Sequence, residues 1–91
     1  AEVWRERPFE IVIDGEFCSG VFDRVVLYEK YAEIIDFKTD RVDNDGLSEA
    51  VKRHKPQLEL YRRALTRLSG LPEEVITCQL VFTRPARVMN A

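Results

Sequence analysis

Histidine is almost missing from this chain: the only one, His54, lies in the basic run "KRHK", with no second histidine to share a metal. The two cysteines, Cys18 and Cys78, form no CxxC and no Cys/His cluster, which excludes a zinc or iron–sulfur site built on them and leaves each as a small core residue. No apolar run approaches the roughly 20 residues of a membrane-spanning helix, and the first residues, Ala1 to Glu6, lack a basic-then-apolar signal pattern. The chain therefore reads as a soluble, cytoplasmic domain with no membrane partner. Repeats and low-complexity segments are absent too. An excess of positive charge is also lacking, since 14 Lys/Arg against 16 Asp/Glu give a net charge of -2, unlike a dedicated nucleic-acid coat.

What is present is unevenly spread. Residues 1–51 hold 6 Lys/Arg and 13 Asp/Glu, net -7, whereas residues 52–91 hold 8 and 3, net +5. An acidic half beside a basic half suits a metal site flanked by a phosphate-binding surface; ordinary solvated charge is the alternative. The 91 residues suffice for one small domain, or a piece of one, with a modest core.

Hydrophobic patterning orders the elements. Phe9, Ile11 and Ile13 alternate with polar neighbours up to Asp14-Gly15, a hairpin-turn dipeptide. "SGVFDRVVLY" (Ser19 to Tyr28) is rich in β-branched and aromatic residues, Glu29-Lys30 is a polar break, and strand character resumes from Tyr31 to Thr39. These three strands predict an antiparallel meander. "DRVDNDGLSE" (Asp40 to Glu49) reads as a loop; an EF-hand spacing is excluded because it would need Asp at 41 and Glu at 52, where Arg41 and Lys52 stand. Ser48 is a candidate cap for a short helical segment through Lys55, and Pro56 suits the first position of the next helix. Leu58, Tyr61, Leu65 and Leu68 recur at helical spacing, and Gly70 provides the stop. Pro72-Glu73-Glu74 is a turn, and "VITCQLVFT" (Val75 to Thr83) reads as a strand buried on both faces. The expected fold is α/β: a three-stranded meander, a helix, then a further strand in a mixed sheet.

Chemistry concentrates in "EIIDFKTDR". Side chains two apart on a strand share a face, so Asp36 and Lys38 stand together while Phe37 turns away. Across the hairpin the expected neighbour is Asp23, in "GVFDRV". Two carboxylates held close repel unless a cation separates them, and an oxygen-preferring divalent ion, Mg²⁺ or Mn²⁺, does so best. A lysine beside such a site can orient or activate an attacking water and stabilise charge developing on a phosphoryl group. An ordinary Asp/Lys surface pair is the competing reading of "DFK" alone.

Taken together, "GVFDRVV", "IIDFKT" and "PQLELY" resemble the PD-(D/E)XK nuclease superfamily, in its RecB/AddA-like branch, over most of the chain from "WRERPFE" to the final strand. The resemblance implies a restriction-endonuclease-like core in which Asp23 and Asp36 match the metal-ligating acids, the Phe37 backbone carbonyl adds a ligand, and Lys38 is the motif lysine. Gln57 and Tyr61 match a Gln-x-x-x-Tyr motif, an i, i+4 pair on one helix face supporting the site or the substrate; Tyr61 also belongs to the apolar stripe, so core packing is a second reading for it. Glu6 is similar to an acidic position in the family's first strand that can join the metal, with an exposed rim glutamate as the alternative. Thr39 follows the lysine as a strand-end hydrogen-bonding residue. The family carries a helix before its first strand, often with a site His or Glu; this chain starts at the strand and His54 does not match. It is accordingly expected to be a nuclease core cut from a longer protein.

The function so implied is a Mg²⁺-dependent, exonuclease-type deoxyribonuclease at the C-terminus of a helicase-nuclease that processes double-strand breaks for recombination. Its partners would be single-stranded DNA ends fed by a helicase motor and a partner subunit of the complex. Lys52, Arg53, Lys55, Arg62, Arg63 and Arg67 would track the DNA backbone or simply be solvated. The rival is a non-catalytic DNA-binding or scaffolding module with the same fold, and a purely structural domain would let Asp23 and Asp36 diverge.

Overall fold

The computed structural model describes the backbone of residues 1–41, 46–84 and 86–91. Two long strands, β1 (Glu2–Ile13) and β2 (Glu16–Leu27), form a hairpin, followed by β3 (Ala32–Arg41), a helix α1 (Leu47–Ser69), a 3-10 turn at Glu73–Val75, β4 (Ile76–Arg84) and β5 (Ala86–Asn90). The described strands make one sheet in the order β1-β2-β3-β4-β5. β3 and β4 are parallel and the other pairs antiparallel, so the expected meander and mixed sheet are both present. A parallel pair needs a crossover, and α1 supplies it.

Local chemistry explains most boundaries. Asp14 (φ 52°) and Gly15 (φ 80°) both adopt left-handed conformations, as a two-residue hairpin turn with the twist of its strands requires. The first strand runs back to Glu2, well before Phe9, because its edge position tolerates charged side chains. Gly70 takes φ 81° and its N–H closes on the Thr66 carbonyl at 2.9 Å, ending α1 as expected.

The helix start differs from expectation. A single helix runs from Leu47 through Ser69, with Gly46 as its N-cap and no side-chain capping bond, so Ser48 lies within the first turn and Pro56 inside the helix. Pro56 is exposed, which spares its ring a steric clash with the core; the cost is the hydrogen bond that the Lys52 carbonyl would otherwise receive. Of the expected loop, residues 42–45 lie outside the described residues, whereas Asp40 and Arg41 extend β3.

One helix covers one face of the sheet. Ala50, Leu58, Tyr61, Ala64 and Leu65 of α1 pack on Phe9, Phe22, Val25, Ile34, Cys78, Leu80 and Phe82. Leu68, expected in the stripe, is 48% exposed. β4 buries Ile76, Cys78, Leu80 and Phe82 while Thr77 and Thr83 are exposed, so it alternates rather than being buried on both faces: no described element covers the sheet's other side. Cys78 is a core residue as expected, and Cys18 is only half-buried. β5 is an addition to the expected elements, a short edge strand whose "ARVMN" carries no strong alternation.

Because a proline within a helix removes a backbone hydrogen bond, Pro56→Ala is expected to stabilise the domain by about 1–3 kcal/mol in urea unfolding. A loss of stability instead would show that the bend at Pro56 is needed to seat the second half of α1.

Candidate metal and phosphodiester site

The site lies where the sheet opens. β2 and β3 pair only from Leu27↔Ala32 to Arg24↔Ile35. Beyond that point β2 continues with β1, and β3 with β4, leaving a split with Asp23 on one lip and Asp36 on the other. Asp23 bridges it: its Oδ2 accepts the Phe37 backbone N–H at 2.9 Å, in place of the strand partner that β2 no longer provides. The N–H and C=O of one strand residue point to the same side, so the Phe37 carbonyl also faces the split. Its ring turns to the outer face, as expected, 5.3 Å from the Arg24 guanidinium.

A change of face within the hairpin puts Asp23 there. Trp4 and Phe9 both reach the aromatic cluster under α1, although residues five apart on a regular strand point oppositely, and on β2 both Phe22 and Val25 are fully buried. Between them Glu6 has φ 47°, and the strand pairing skips from Arg5↔Arg24 to Arg7↔Phe22, leaving Glu6 and Asp23 facing each other outside the ladder. A non-glycine residue at positive φ within a strand is costly, and here it reverses the alternation so that Phe22 enters the core while Asp23 turns to the split.

Asp36 is buried, at 4% exposure. Its Oδ2 lies 2.6 Å from Lys38 Nζ as an ion pair. Burial pushes the Asp36 carboxyl above the usual carboxylate range; Lys38 opposes this, and the Asp23 carboxylate adds to the rise. Lys38 in turn donates to Gln57 Oε1 at 3.0 Å, and Gln57 Nε2 donates to the Tyr61 hydroxyl at 3.1 Å. Asp36, Lys38, Gln57 and Tyr61 thus form one polar chain from the split into α1.

Tyr61 belongs to the core and to the polar chain at once. Its ring packs edge-on against Phe9 and Phe22, each at 5.4 Å, while its hydroxyl ends the polar chain. Gly20 makes this possible: a Cβ there would lie 2.9 Å from the Phe9 ring and 3.0 Å from Tyr61. A glycine inside a strand is the available signal for such an approach.

Glu6 is exposed, and among the described residues no group of three or more His, Cys, Asp or Glu side chains forms a metal cluster, so neither Glu6 nor His54 joins the acid pair there. His54 is half-buried, and Thr39 is exposed. Several of the basic residues are engaged within the fold. Arg62 turns inward to the Ile76 and Ala91 carbonyls, Arg63 pairs with Asp14 at 2.7 Å, and Lys52 lies 3.6 Å from Glu49; Arg53, Lys55 and Arg67 remain exposed.

The residues at the split suit a hard divalent cation: two carboxylates and a backbone carbonyl on the same side. A mixed α/β sheet that opens onto an acid pair and a lysine defines the restriction-endonuclease-like class. The chain belongs to the PD-(D/E)XK nuclease superfamily, whose model matches residues 1–89. It is 32% identical over an alignment of 107 residues to an ATP-dependent helicase/nuclease subunit of Limosilactobacillus fermentum, covering 98% of this chain and 8% of the relative. Identity to the protein of the same name from Carboxydothermus hydrogenoformans is 45% over 82 residues, covering 76% of this chain and 7% of the relative. The exonuclease/helicase protein RexA of Streptococcus pneumoniae serotype 4 is 35% identical over 71 residues, 71% of this chain and 6% of the relative. The chain therefore spans less than about a tenth of the relatives it matches.

The raised Asp36 pKa fixes a sign for stability. Folding favours the neutral acid, so its contribution is fully present below the ordinary value of 3.8 and is lost as pH rises through the raised value. Without added metal, Asp36→Asn is expected to raise Tm at pH 7 by about 4 °C, the shift that about 1 kcal/mol makes in a domain of this size. At pH 3 the two melts should converge. A variant less stable at both pH values would show that the Lys38 pair outweighs the cost of burying the carboxylate.

Proposed function

We propose that this chain is the core of a metal-dependent, exonuclease-type DNA nuclease domain, cutting phosphodiester bonds by in-line attack of water. The observation that carries the proposal is the convergence of Asp23, Asp36, Lys38, Gln57 and Tyr61 on the split between β2 and β3. Asp23, Asp36 and the Phe37 carbonyl are the residues that would hold Mg²⁺ or Mn²⁺. When bound, such an ion supplies Lewis acidity and balances charge on the phosphate.

The chain's own residues do the rest. Lys38, whose side chain is 16% exposed, presents its ammonium at the acid pair, where it positions the attacking water and donates to a phosphoryl oxygen as negative charge builds. As the water oxygen bonds to phosphorus and sheds a proton to surrounding water, the bond to the leaving sugar oxygen breaks and that oxygen takes a proton from solvent. Gln57 keeps Lys38 aimed, and Tyr61 keeps Gln57 in place. Arg53, Lys55 and Arg67, exposed on α1, are the candidates for sequence-independent contacts with the DNA backbone.

The similarity to helicase/nuclease subunits supports reading the domain as part of a longer helicase-nuclease; on this reading it sits at that protein's C-terminus, in the cytoplasm, and serves double-strand-break repair. Its substrate there is single-stranded DNA delivered by the motor, and its partner is the second subunit of the complex. Among the described residues no helix is long and apolar enough to cross a membrane.

The test uses the complete protein of which this chain is a part. Lys38→Ala should lower cleavage of single-stranded DNA in Mg²⁺ by about 100-fold or more while DNA binding is kept and the protein stays folded, with a lower Tm because Asp36 loses its partner. Unchanged cleavage would remove Lys38 from the chemistry, and a wild-type protein that binds DNA without cutting it would favour a non-catalytic module.

A further inference from the structure

Lys38 stands between two acceptors that differ in kind. On one side is the buried Asp36 Oδ2, at 2.6 Å; on the other is the neutral Gln57 Oε1, at 3.0 Å. The ammonium covers Asp36 Oδ2, one of the two carboxylate oxygens through which Asp36 could bind a cation. Two positive charges cannot share that oxygen in a buried setting without strong repulsion.

Gln57 gives the lysine somewhere to go. An ammonium only donates, so it requires the amide oxygen, which turns the amide nitrogen toward Tyr61. The Tyr61 ring is held by Phe9 and Phe22 in the core, and the amide is thereby fixed from behind. Resting on the reading that Asp23 and Asp36 take a divalent ion, we propose that Gln57 is a positioning residue for cation entry: it receives Lys38 as Asp36 is released to the ion. The Gln57 contact strengthens in the loaded state, when Lys38 has lost its carboxylate partner, so Gln57 favours loading even though it does not touch the ion.

A double-mutant cycle in calorimetric Mn²⁺ titrations of the folded protein tests this, with a thermal melt of each variant. Lys38→Met, which keeps the aliphatic stem, should bind Mn²⁺ roughly tenfold more tightly than wild type, because its competing charge is gone. Gln57→Ala should bind several-fold more weakly. Tyr61→Phe, which keeps the ring, should weaken binding by about two- to threefold. In the Lys38→Met background, Gln57→Ala should have no further effect, since no ammonium is left to receive. A Gln57→Ala loss of equal size in both backgrounds would mean that Gln57 acts through the fold or the ion directly and would overturn the proposal. So would a Lys38→Met protein that binds no more tightly than wild type. Both of those results leave the metal site standing, whereas a folded wild-type protein that takes up no Mn²⁺ refutes the site itself and this role with it.

Discussion

A carboxylate at 4% exposure, placed where two strands stop pairing, is the constraint around which the rest of the molecule is arranged. Alone, a buried Asp36 would cost several kcal/mol. Lys38 offsets part of that cost, Gln57 and Tyr61 hold Lys38, and the aromatic cluster of Phe9, Phe22 and Tyr61 holds them in turn. Each layer of the site is therefore supported by the layer behind it, and the last is ordinary hydrophobic core. The sheet is open at this point because β2 follows β1 while β3 follows β4, and the Phe37 N–H released at the opening is the group that Asp23 takes up.

The hairpin contributes more than an edge to the sheet. Its reversal of face at Glu6 and Asp23 lets one strand deliver Phe22 to the core and Asp23 to the split as successive residues. Strain of this kind persists only where neighbours enforce it, and here the Trp4, Phe9 and Phe22 rings on either side do so. The Glu6 side chain stays outside, so its contribution to the site is through its backbone. Helix α1 is tied to the same frame at its far end by Arg62 on the Ile76 carbonyl and at the hairpin turn by Arg63 on Asp14, which explains why these arginines sit in a basic stretch without facing solvent alone.

Much of this was legible in the sequence, for physical reasons that differ by element. Asp14-Gly15 fixes the hairpin, and the hairpin with the polar break at Glu29-Lys30 fixes the register that sets Asp23 opposite Asp36. The i, i+4 spacing of Gln57 and Tyr61 placed them on one helix face. Pro56 was misleading because proline favours the first turn of a helix, and nothing local tells a tolerated interior proline from a starting one. β4 read as doubly buried because its apolar content does not reveal that only one face is covered. The face reversal at Glu6 had no sequence signal at all: it is imposed by the three rings that must share one core. β5, short and exposed at the edge, lacks the alternation that would announce it.

What joins these features is the claim that Asp23 and Asp36 face each other across the split in order to share a divalent ion. Diffraction from crystals grown with Mn²⁺, recorded at a wavelength where manganese scatters anomalously, tests it most directly. One anomalous peak is expected at the split, within bonding distance of both carboxylates. A peak elsewhere, or none at the split in a well-ordered crystal, would contradict the claim and return the acid pair to the fold as a buried charge with only Lys38 to balance it.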